Sequence, residues 1–178
     1  MSDVEEVVVL VDATDRETGL APKLQAHLDG LLHRAISVII LNDRGEMLLQ
    51  QREAGKYHSG GLWTNACCSH PRPGEEVAKA AARRLREEMG FEAKLVPMFS
   101  TVYRAELGAL TEHEFVHVFG GRHVGPVNPD PAEVGAYEWR ALPGLFADIE
   151  ARPELYTAWF RKYLRDHRAD VEALSARL

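Results

Sequence analysis

The chain has 178 residues, 46% of them hydrophobic and 27% charged, and its formal net charge is −6. These values are typical of a globular protein with its own core, and we expect one domain over residues 1–178. The negative charge argues against a nucleic-acid partner, and the lack of an apolar run of about 18 residues argues against a membrane span. The two cysteines are adjacent and the N-terminus lacks the positive start of a signal peptide, so we expect a cytoplasmic protein. The sequence leaves the oligomeric state open, and a monomer is the simplest expectation.

Three strands are predicted before the first helix, at residues 7–11, 35–41 and 46–51. The turn-forming residues 42–45 between the last two predict a hairpin. A polar loop is predicted between the first two strands, and it contains Lys23, His27 and His33.

One helix is predicted at residues 75–89, where apolar residues recur every four positions, and Gly90 suits its C-terminal cap. Further strands are predicted within residues 93–105, at 112–119 and at 137–140, with a turn-rich section at 120–131. Helices are predicted at 142–150 and, in a longer run, from about Pro153. Hairpins mixed with helices indicate an α+β fold and not a doubly wound parallel sheet.

Residues 63–71 place a potential thiolate beside a potential metal ligand. Both cysteines, Cys67 and Cys68, lie in this stretch, and His70 follows two residues after the second. Histidine is a common ligand of divalent metals. A basic and aromatic segment, residues 51–58, leads into the stretch, and the acid-rich helix follows it. We therefore interpret residues 63–71 as the centre of an active site.

A predicted strand carries a pair of carboxylates. Side chains alternate between the faces of a strand, so Glu112 and Glu114 lie on the same face. Neighbouring carboxylates repel each other unless a cation or a proton lies between them. They would complete a five-ligand metal site with His27, His33 and His70. The alternative is a solvated strand face, and the spacing alone does not show that the five residues converge.

The helix at residues 75–89 carries a third candidate pair. Arg84 and Glu88 are four residues apart and share one face of the helix. They would form either a surface ion pair worth well under ~1 kcal/mol, or the wall of a pocket where Glu88 binds magnesium and Arg84 binds phosphate.

This helix resembles the Nudix box. Seven residues fit the box in its own spacing: Glu75, Arg83, Leu85, Glu87, Glu88, Gly90 and Phe91. Two positions depart from it, since Ser69 replaces the opening glycine and Arg84 replaces the glutamate that follows the arginine. In Nudix hydrolases that glutamate is a main magnesium ligand, so its replacement disfavours diphosphate hydrolysis.

Over nearly its whole length the chain resembles type I isopentenyl-diphosphate isomerase. The motifs that carry the resemblance are residues 21–24, 27, 32–35, 55–58, 63–71, 103–105 and 112–114. Two local features depart from the family. His27 and His33 are one residue closer together than expected, and Ser59-Gly60-Gly61 stands where Phe-Pro-Gly is usual.

The resemblance implies a Nudix-like mixed sheet between helices, with a core at about residues 31–165 and an N-terminal strand and loop that contribute to the site. It implies one divalent metal, Mn²⁺ or Zn²⁺, held by three histidines and two glutamates: His27, His33, His70, Glu112 and Glu114. Glu88, with the backbone of Cys68, would bind Mg²⁺ together with the diphosphate of the substrate, isopentenyl diphosphate. The positions that match diphosphate-binding residues are Lys23, Arg52, Lys56 and Arg84.

Isomerisation of isopentenyl to dimethylallyl diphosphate adds a proton at the terminal alkene carbon and removes one from carbon 2. It therefore needs an acid and a base on opposite faces of the substrate. The resemblance makes Cys68 the catalytic cysteine and leaves Cys67 to packing. We expect Glu114, polarised by the metal and linked to Tyr103, to be the acid. We expect Cys68, as a thiolate favoured by nearby cations, to be the base.

Trp63 and Trp159 are candidates for cation–π support of the carbocation that lies between the two proton transfers. Trp159, on the last helix, resembles the active-site tryptophan of the family, and core packing is its alternative role. Two other functions stay open: a Nudix hydrolase of a nucleoside or other diphosphate, and a metal-binding module without catalysis. Arg84 and the cysteine stretch count against the hydrolase.

Overall fold

The computed structural model describes residues 6–56 and 58–178. The first five residues, on which the expectation about a signal peptide depends, and Tyr57 of the 55–58 motif lie outside that description. The strands of the described residues are β1 (Val7–Val11), β2 (Glu17–Pro22), β3 (His33–Leu41), β4 (Glu46–Arg52), β5 (Trp63–Asn65), β6 (Cys67–Ser69), β7 (Leu95–Leu107), β8 (Leu110–Arg122) and β9 (Val134–Ala141). The helices are α1 (Lys23–Asp29), α2 (Val77–Met89), α3 (Leu142–Ala151), α4 (Ala158–Asp166) and α5 (Arg168–Arg177). No helix in the described part of the chain is long and apolar enough to cross a membrane.

The nine strands join in one mixed sheet with β3 at its centre. β3 pairs antiparallel with β6 and parallel with β8, from His33 opposite Glu114 to Leu41 opposite Arg122. β4 meets β3 only where Leu41 lies opposite Met47, and otherwise pairs with β5 and β9. The predicted hairpin therefore exists at its turn, but its two strands diverge into different parts of the sheet. The mixed sheet with helices on both faces confirms the predicted α+β fold.

Successive side chains of β3 enter two different cores, because strand residues alternate between faces. On one face Ile36, Val38 and Ile40 pack against α2. The apolar stripe predicted for α2 is confirmed there, since Ala81, Leu85 and Met89 are fully buried. On the other face the core consists of β3, β8 and the helices α3, α4 and α5, and its β3 members are Ala35, Ile39 and Leu41. Burial of each large aliphatic side chain contributes about 1.5–3 kcal/mol.

The predicted polar loop around Lys23 is wrong. β2 and α1 occupy most of that region, and His33 is the first residue of β3. α1 is capped by Gly30, whose φ of 62° is left-handed, and it buries Ala26 and His27. A helix of seven residues is too short to be stable alone. It therefore depends on packing of Ala26 against β1 and β2, which a pattern of polar residues does not reveal.

The turns predicted at residues 120–131 begin too early, because β8 continues to Arg122. A Cβ on Gly120 would lie 2.4 Å from Cδ1 of Leu174, and one on Gly121 would lie 2.8 Å from Cδ2 of Leu95. These glycines are therefore required by close packing within the strand and do not mark a turn.

The predicted long C-terminal helix is also wrong, since a 3₁₀ turn at Pro153–Leu155 precedes two separate helices, α4 and α5, divided at His167. Trp159 therefore lies on α4 and not on the last helix. The helix predicted at residues 75–89 starts at Val77 in the structure, two residues later than predicted. Glu75 lies before it, and its carboxylate accepts hydrogen bonds from Arg83 and from the backbone of Arg72. Gly90 is confirmed as its cap, with a φ of 74°.

Candidate active site

A small cavity of about 50 Å³ lies where the ends of several strands meet α1, α2 and α4. Most of the predicted site residues line it: Lys23, Arg52, Lys56, Cys68, His70, Arg84, Glu88, Tyr103, Glu112, Glu114 and Trp159. The other two, His27 and His33, are buried directly beside His70 and Glu114. The fold thus brings together residues spread over more than a hundred positions of the chain.

Four buried groups form a compact cluster in which the nearest ligand atoms all lie within 4.8 Å of one another: His27, His33, His70 and Glu114. Nδ1 of His27 donates a hydrogen bond of 2.7 Å to the Lys23 carbonyl, and Nδ1 of His33 donates one of 2.8 Å to the Leu31 carbonyl. A carbonyl oxygen only accepts hydrogen bonds, so Nδ1 carries a hydrogen in both rings and Nε2 is the nitrogen that faces the cluster. Histidines that bind metals are oriented by hydrogen bonds of this kind.

The charges of this cluster also suit a cation. Burial lowers the pKa of His27 to about 4 and lowers that of His70, so both rings are neutral near neutral pH. Burial alone would raise the pKa of Glu114, but the neighbouring His33 and His70 outweigh it and lower that pKa well below its usual range. Nε2 of His33 and Nδ1 of His70 are buried without a hydrogen-bond partner. Neutral imidazoles around one carboxylate fit a divalent metal ion.

Glu112 belongs to a second group, with His27 and His58, that overlaps the first at His27. Burial, followed by the charge of Glu114, raises the pKa of Glu112. The phenol of Tyr103 donates a hydrogen bond of 2.6 Å to Oε2 of Glu112. The predicted link from Tyr103 to Glu114 is therefore wrong, although these two residues lie opposite each other in the β7–β8 pairing. The phenol instead reaches along the strand to the other carboxylate on the same face.

Cys68 is held by two polar neighbours. Its sulfur lies 3.2 Å from Oγ of Ser37 and 3.3 Å from Oδ1 of Asn65. The Asn65 amide donates to Ser37 over 2.8 Å, which leaves the Ser37 hydroxyl hydrogen for the sulfur. Burial raises the pKa of Cys68 to about 12 and outweighs the smaller lowering effects of Ser37 and Arg52. The surrounding side chains by themselves therefore favour the thiol form of Cys68, and its ionisation by nearby cations stays a prediction. Cys67 is fully buried in the core beneath α2.

A network of ion pairs also lines the cavity. Arg84 donates hydrogen bonds of 2.8 Å to Glu87 and Glu88, and one of 3.3 Å to Glu133. Lys56 pairs with the other oxygen of Glu133. Because Glu88 is only 4% exposed, its pair with Arg84 is not the surface ion pair considered from the sequence. Removing one partner of a buried pair leaves an uncompensated charge and is costly.

Two guanidinium groups that line the cavity have a hydrogen-bond donor without a partner. Nε of Arg52 and Nε of Arg84 are buried without a hydrogen-bond partner. The Arg52 guanidinium lies 5.4 Å from the ring centroid of Trp159, and Lys23 forms an ion pair of 2.8 Å with Glu6. Buried charged donors without partners are unfavourable, and the oxygens of a phosphate group would satisfy them.

Trp159 combines the two roles that the sequence left as alternatives. Its ring is 3% exposed and packs in the core with Tyr163, while its Nε1 donates to the Thr64 hydroxyl over 2.9 Å. It also lines the cavity. Trp63 packs against the same core and is not among the described residues that line the cavity.

Several residues at the site were not assigned from the sequence: Ser37, Gln50, His58, Asn65 and Glu133. A signal existed for His58 and Asn65, since both lie inside motifs that define the site. Glu133 gave no local signal. It reaches the cavity because its backbone carbonyl accepts a hydrogen bond of 3.0 Å from the Glu53 amide, a contact between distant parts of the chain.

Comparison with known proteins agrees with this geometry. The NUDIX domain family model matches residues 31–160. Isopentenyl-diphosphate Delta-isomerase 2 of Aromatoleum aromaticum is 52% identical over 157 residues, which are 88% of this chain and 83% of that protein. The chain belongs to the isopentenyl-diphosphate Delta-isomerase family. The isomerase of Serratia proteamaculans is 44% identical over 176 residues, 98% of both chains, so this family relationship includes the N-terminal segment with Lys23 and His27.

Solved structures confirm the fold of this isomerase-family chain. A protein from Deinococcus radiodurans superposes with a TM-score of 0.74 at 18% identity, over 90% of this chain and 98% of its own. A MutT protein from Methanosarcina mazei gives a TM-score of 0.64 at 23% identity, over 78% of this chain and 94% of its own.

Proposed function

We propose that this protein interconverts isopentenyl diphosphate and dimethylallyl diphosphate. The observation that carries the proposal is one cavity, in a chain of the isomerase family, that joins a cysteine, a histidine–glutamate cluster and buried guanidinium donors without partners. Each of the three groups serves a different need of the reaction. They transfer protons, hold a cation and anchor a diphosphate.

We propose that one divalent ion, Mn²⁺ or Zn²⁺, is held by His27, His33, His70, Glu112 and Glu114. The partnerless nitrogens of His33 and His70 support this set. Such an ion, when bound, offsets the repulsion between the two carboxylates and polarises Glu114. Glu88, with the backbone of Cys68, is the proposed site of a Mg²⁺ ion that arrives with the substrate.

The proposed diphosphate ligands are Lys23, Arg52, Lys56 and Arg84. Known ligand sites have volumes of about 300–1,000 Å³, whereas the cavity measures about 50 Å³. In this structure the Glu133 carboxylate forms ion pairs with both Lys56 and Arg84. We therefore expect the diphosphate to displace the Glu133 carboxylate from both.

We assign proton transfer to two other groups that line the cavity. We propose Glu114 as the acid that protonates the terminal alkene carbon and Cys68 as the base at carbon 2. The phenol of Tyr103 holds Glu112 and so positions the carboxylate pair. After a forward turnover Cys68 is a thiol and Glu114 a carboxylate, and those are the forms that the surroundings favour. These forms are also the ones that start the reverse reaction. Trp159 lines the same cavity as these two groups, and its ring suits a carbocation.

Hydrolysis of a diphosphate is the less favoured alternative. Arg84 donates to Glu88 over 2.8 Å, so a guanidinium occupies the position where Nudix hydrolases have a carboxylate for magnesium. The substrate proposed here is a small molecule. The cytoplasmic location and the monomeric state stay predictions.

The deciding experiment incubates the protein with isopentenyl diphosphate, Mg²⁺ and Mn²⁺. An acid-labile allylic product is expected, with no release of phosphate. Phosphate release without an allylic product would instead establish the hydrolase.

A further inference from the structure

His58 is a buried histidine at the metal cluster that no part of the proposed mechanism uses. Its side chain is 8% exposed, and its Nε2 lies 3.3 Å from Oε1 of Glu112. Its ring stacks on that of His27 with centroids 5.7 Å apart, and meets the Trp159 ring edge to face at 6.2 Å. The other histidines of the cluster come from α1, β3 and the residue after β6, whereas His58 comes from the β4–β5 connection, residues 53–62.

The distances fit coordination of a metal ion. Ligand atoms of His27, His58 and Glu112 lie within 4.8 Å of one another. Histidine and carboxylate ligands lie about 2.0–2.2 Å from a zinc ion, so two ligands on opposite sides of such an ion are about 4 Å apart. His27 is common to this group and to the group with His33, His70 and Glu114. An ion that contacts His27 and Glu112 is therefore within reach of His58.

We propose that His58 is a further ligand of the divalent ion, and that it couples metal binding to the position of the connection that carries Lys56. Lys56 lies only two residues before His58 and pairs with Glu133 across the cavity. The Arg52 guanidinium donates to the His58 carbonyl over 3.3 Å, so the backbone at His58 also contacts a second proposed diphosphate ligand. A metal bond to the His58 ring fixes the connection that carries Lys56 and that begins directly after Arg52. The inference rests on the proposed function.

The competing explanation is that His58 only fills the cavity wall and hydrogen-bonds to Glu112. Metal affinity separates the two explanations, because a wall residue does not contribute a metal bond. His58→Gln keeps a polar side chain of similar reach but removes the imidazole. His123→Gln is the matched control, since His123 stacks on Phe91 and is not among the described residues of the cavity or the cluster.

The experiment titrates Mn²⁺ into the substrate-free wild-type protein and both variants, and measures the free ion by electron paramagnetic resonance. Hydrogen exchange of the amides at residues 53–62 is followed with and without Mn²⁺. We expect His58→Gln to weaken Mn²⁺ binding by about ten- to a hundredfold, in the range found when groups around metal sites are removed. We also expect Mn²⁺ to slow exchange in this segment of the wild type and of His123→Gln, but not of His58→Gln.

Equal Mn²⁺ affinity in the wild type and His58→Gln overturns the inference, as does unchanged exchange at residues 53–62 when the wild type binds Mn²⁺. Neither result touches the proposed isomerase activity, because no turnover is measured. If the wild type itself fails to bind Mn²⁺ or Zn²⁺, the proposed metal centre fails as well, so the two failures are distinguishable. Circular dichroism of each variant verifies that the fold is intact.

Discussion

The protonation of Cys68 is governed by a balance between two neighbours. Asn65 offers an acceptor oxygen, which favours the thiol, while Ser37 offers a hydroxyl hydrogen, which favours the thiolate. The same amide of Asn65 also donates to the Ser37 oxygen, and so fixes the direction of that hydroxyl. The sulfur is thereby held in one place in both protonation states, which suits a group that must receive and release a proton in each direction of the reaction.

Replacement of each cysteine separates catalysis from packing. Cys68→Ala removes a proton-transfer group, so we expect kcat to fall by at least about 10²- to 10⁴-fold with the fold intact. Cys67→Ala changes only the core beneath α2, so we expect nearly normal kcat and a modest loss of stability. Steady-state kinetics and urea unfolding of both variants test this. Equal losses of activity would contradict the assignment of Cys68.

Arg84 is expected to bind the substrate and not to drive the chemistry. Arg84→Ala should raise KM for isopentenyl diphosphate, because loss of one charge-assisted contact costs about 1.5–3 kcal/mol, or roughly ten- to a hundredfold in kcat/KM. Arg84→Lys restores the charge without the paired donor geometry, so we expect an intermediate value. Arg84→Glu should lose isomerisation without gaining hydrolysis.

Steady-state kinetics and a phosphate-release assay on the three Arg84 variants check these outcomes. Unchanged kinetics in Arg84→Ala would show that Arg84 serves only its ion pairs with Glu87, Glu88 and Glu133.

The site residues that the sequence revealed are those inside contiguous motifs, such as Cys68 and His70, or on one strand, such as Glu112 and Glu114. Because the two members of each pair are only two residues apart, their sequence spacing alone places them within a few ångströms of each other. Glu133 and Ser37 escaped prediction because each acts through a partner far away in the chain. The link from Tyr103 was assigned to the wrong glutamate because alternation gives the face of a strand but not the reach of a phenol along it.

At the scale of elements, hydrophobic periodicity identified the central strands and α2, which have strong patterns and large buried faces. α1 was missed because its stability comes from the β1–β2 hairpin that it covers. Glycine was the other source of error. Gly120 and Gly121 were interpreted as turn residues, but they lie in a strand where any side chain would collide with neighbouring elements.

A glycine can be required by a left-handed backbone angle or by a close neighbour that leaves no room for a Cβ. Gly90 meets both conditions, whereas Gly108 meets only the first. Both have left-handed φ angles, 74° and 70°, but a Cβ on Gly90 would lie 2.2 Å from the Asn128 carbonyl oxygen, whereas a Cβ on Gly108 would have no neighbour within 4 Å. We expect Gly108→Ala to cost about 1–2 kcal/mol from backbone strain alone. Gly90→Ala should cost clearly more, because backbone atoms must also move. Urea unfolding measures both, and equal costs would show that the contact at Asn128 relaxes freely.

The site is assembled from distant parts of the chain. The N-terminal segment before the NUDIX match supplies Lys23 and His27, the sheet supplies the glutamates and the cysteine, and α2 supplies Arg84 and Glu88. Because these parts meet only in the folded chain, an ion bound between them stabilises the fold as a whole. Stability is therefore a measure of the metal centre that is independent of turnover.

We expect the stability that the protein gains from Mn²⁺ to depend on the glutamates and histidines of the cluster, and thermal unfolding with and without Mn²⁺ measures this gain. At a free Mn²⁺ concentration of 100 times Kd, the wild type should gain about 2.7 kcal/mol. His70→Ala and Glu112→Gln should lose most of that gain, together with bound metal and activity. Glu92→Gln is the control, since Glu92 is exposed and pairs with Arg86.

Without added metal, Glu112→Gln should be at least as stable as the wild type, because it removes one of two facing buried carboxylates while its amide still accepts the hydrogen bond from Tyr103. His70→Ala should instead be less stable, because Glu114 then loses its 3.1 Å hydrogen bond. This opposite response of the two variants is specific to a site built for a cation, since ordinary packing residues lose stability when they are replaced whether or not metal is present. Full metal occupancy and an unchanged Mn²⁺-dependent shift in both variants would refute the centre.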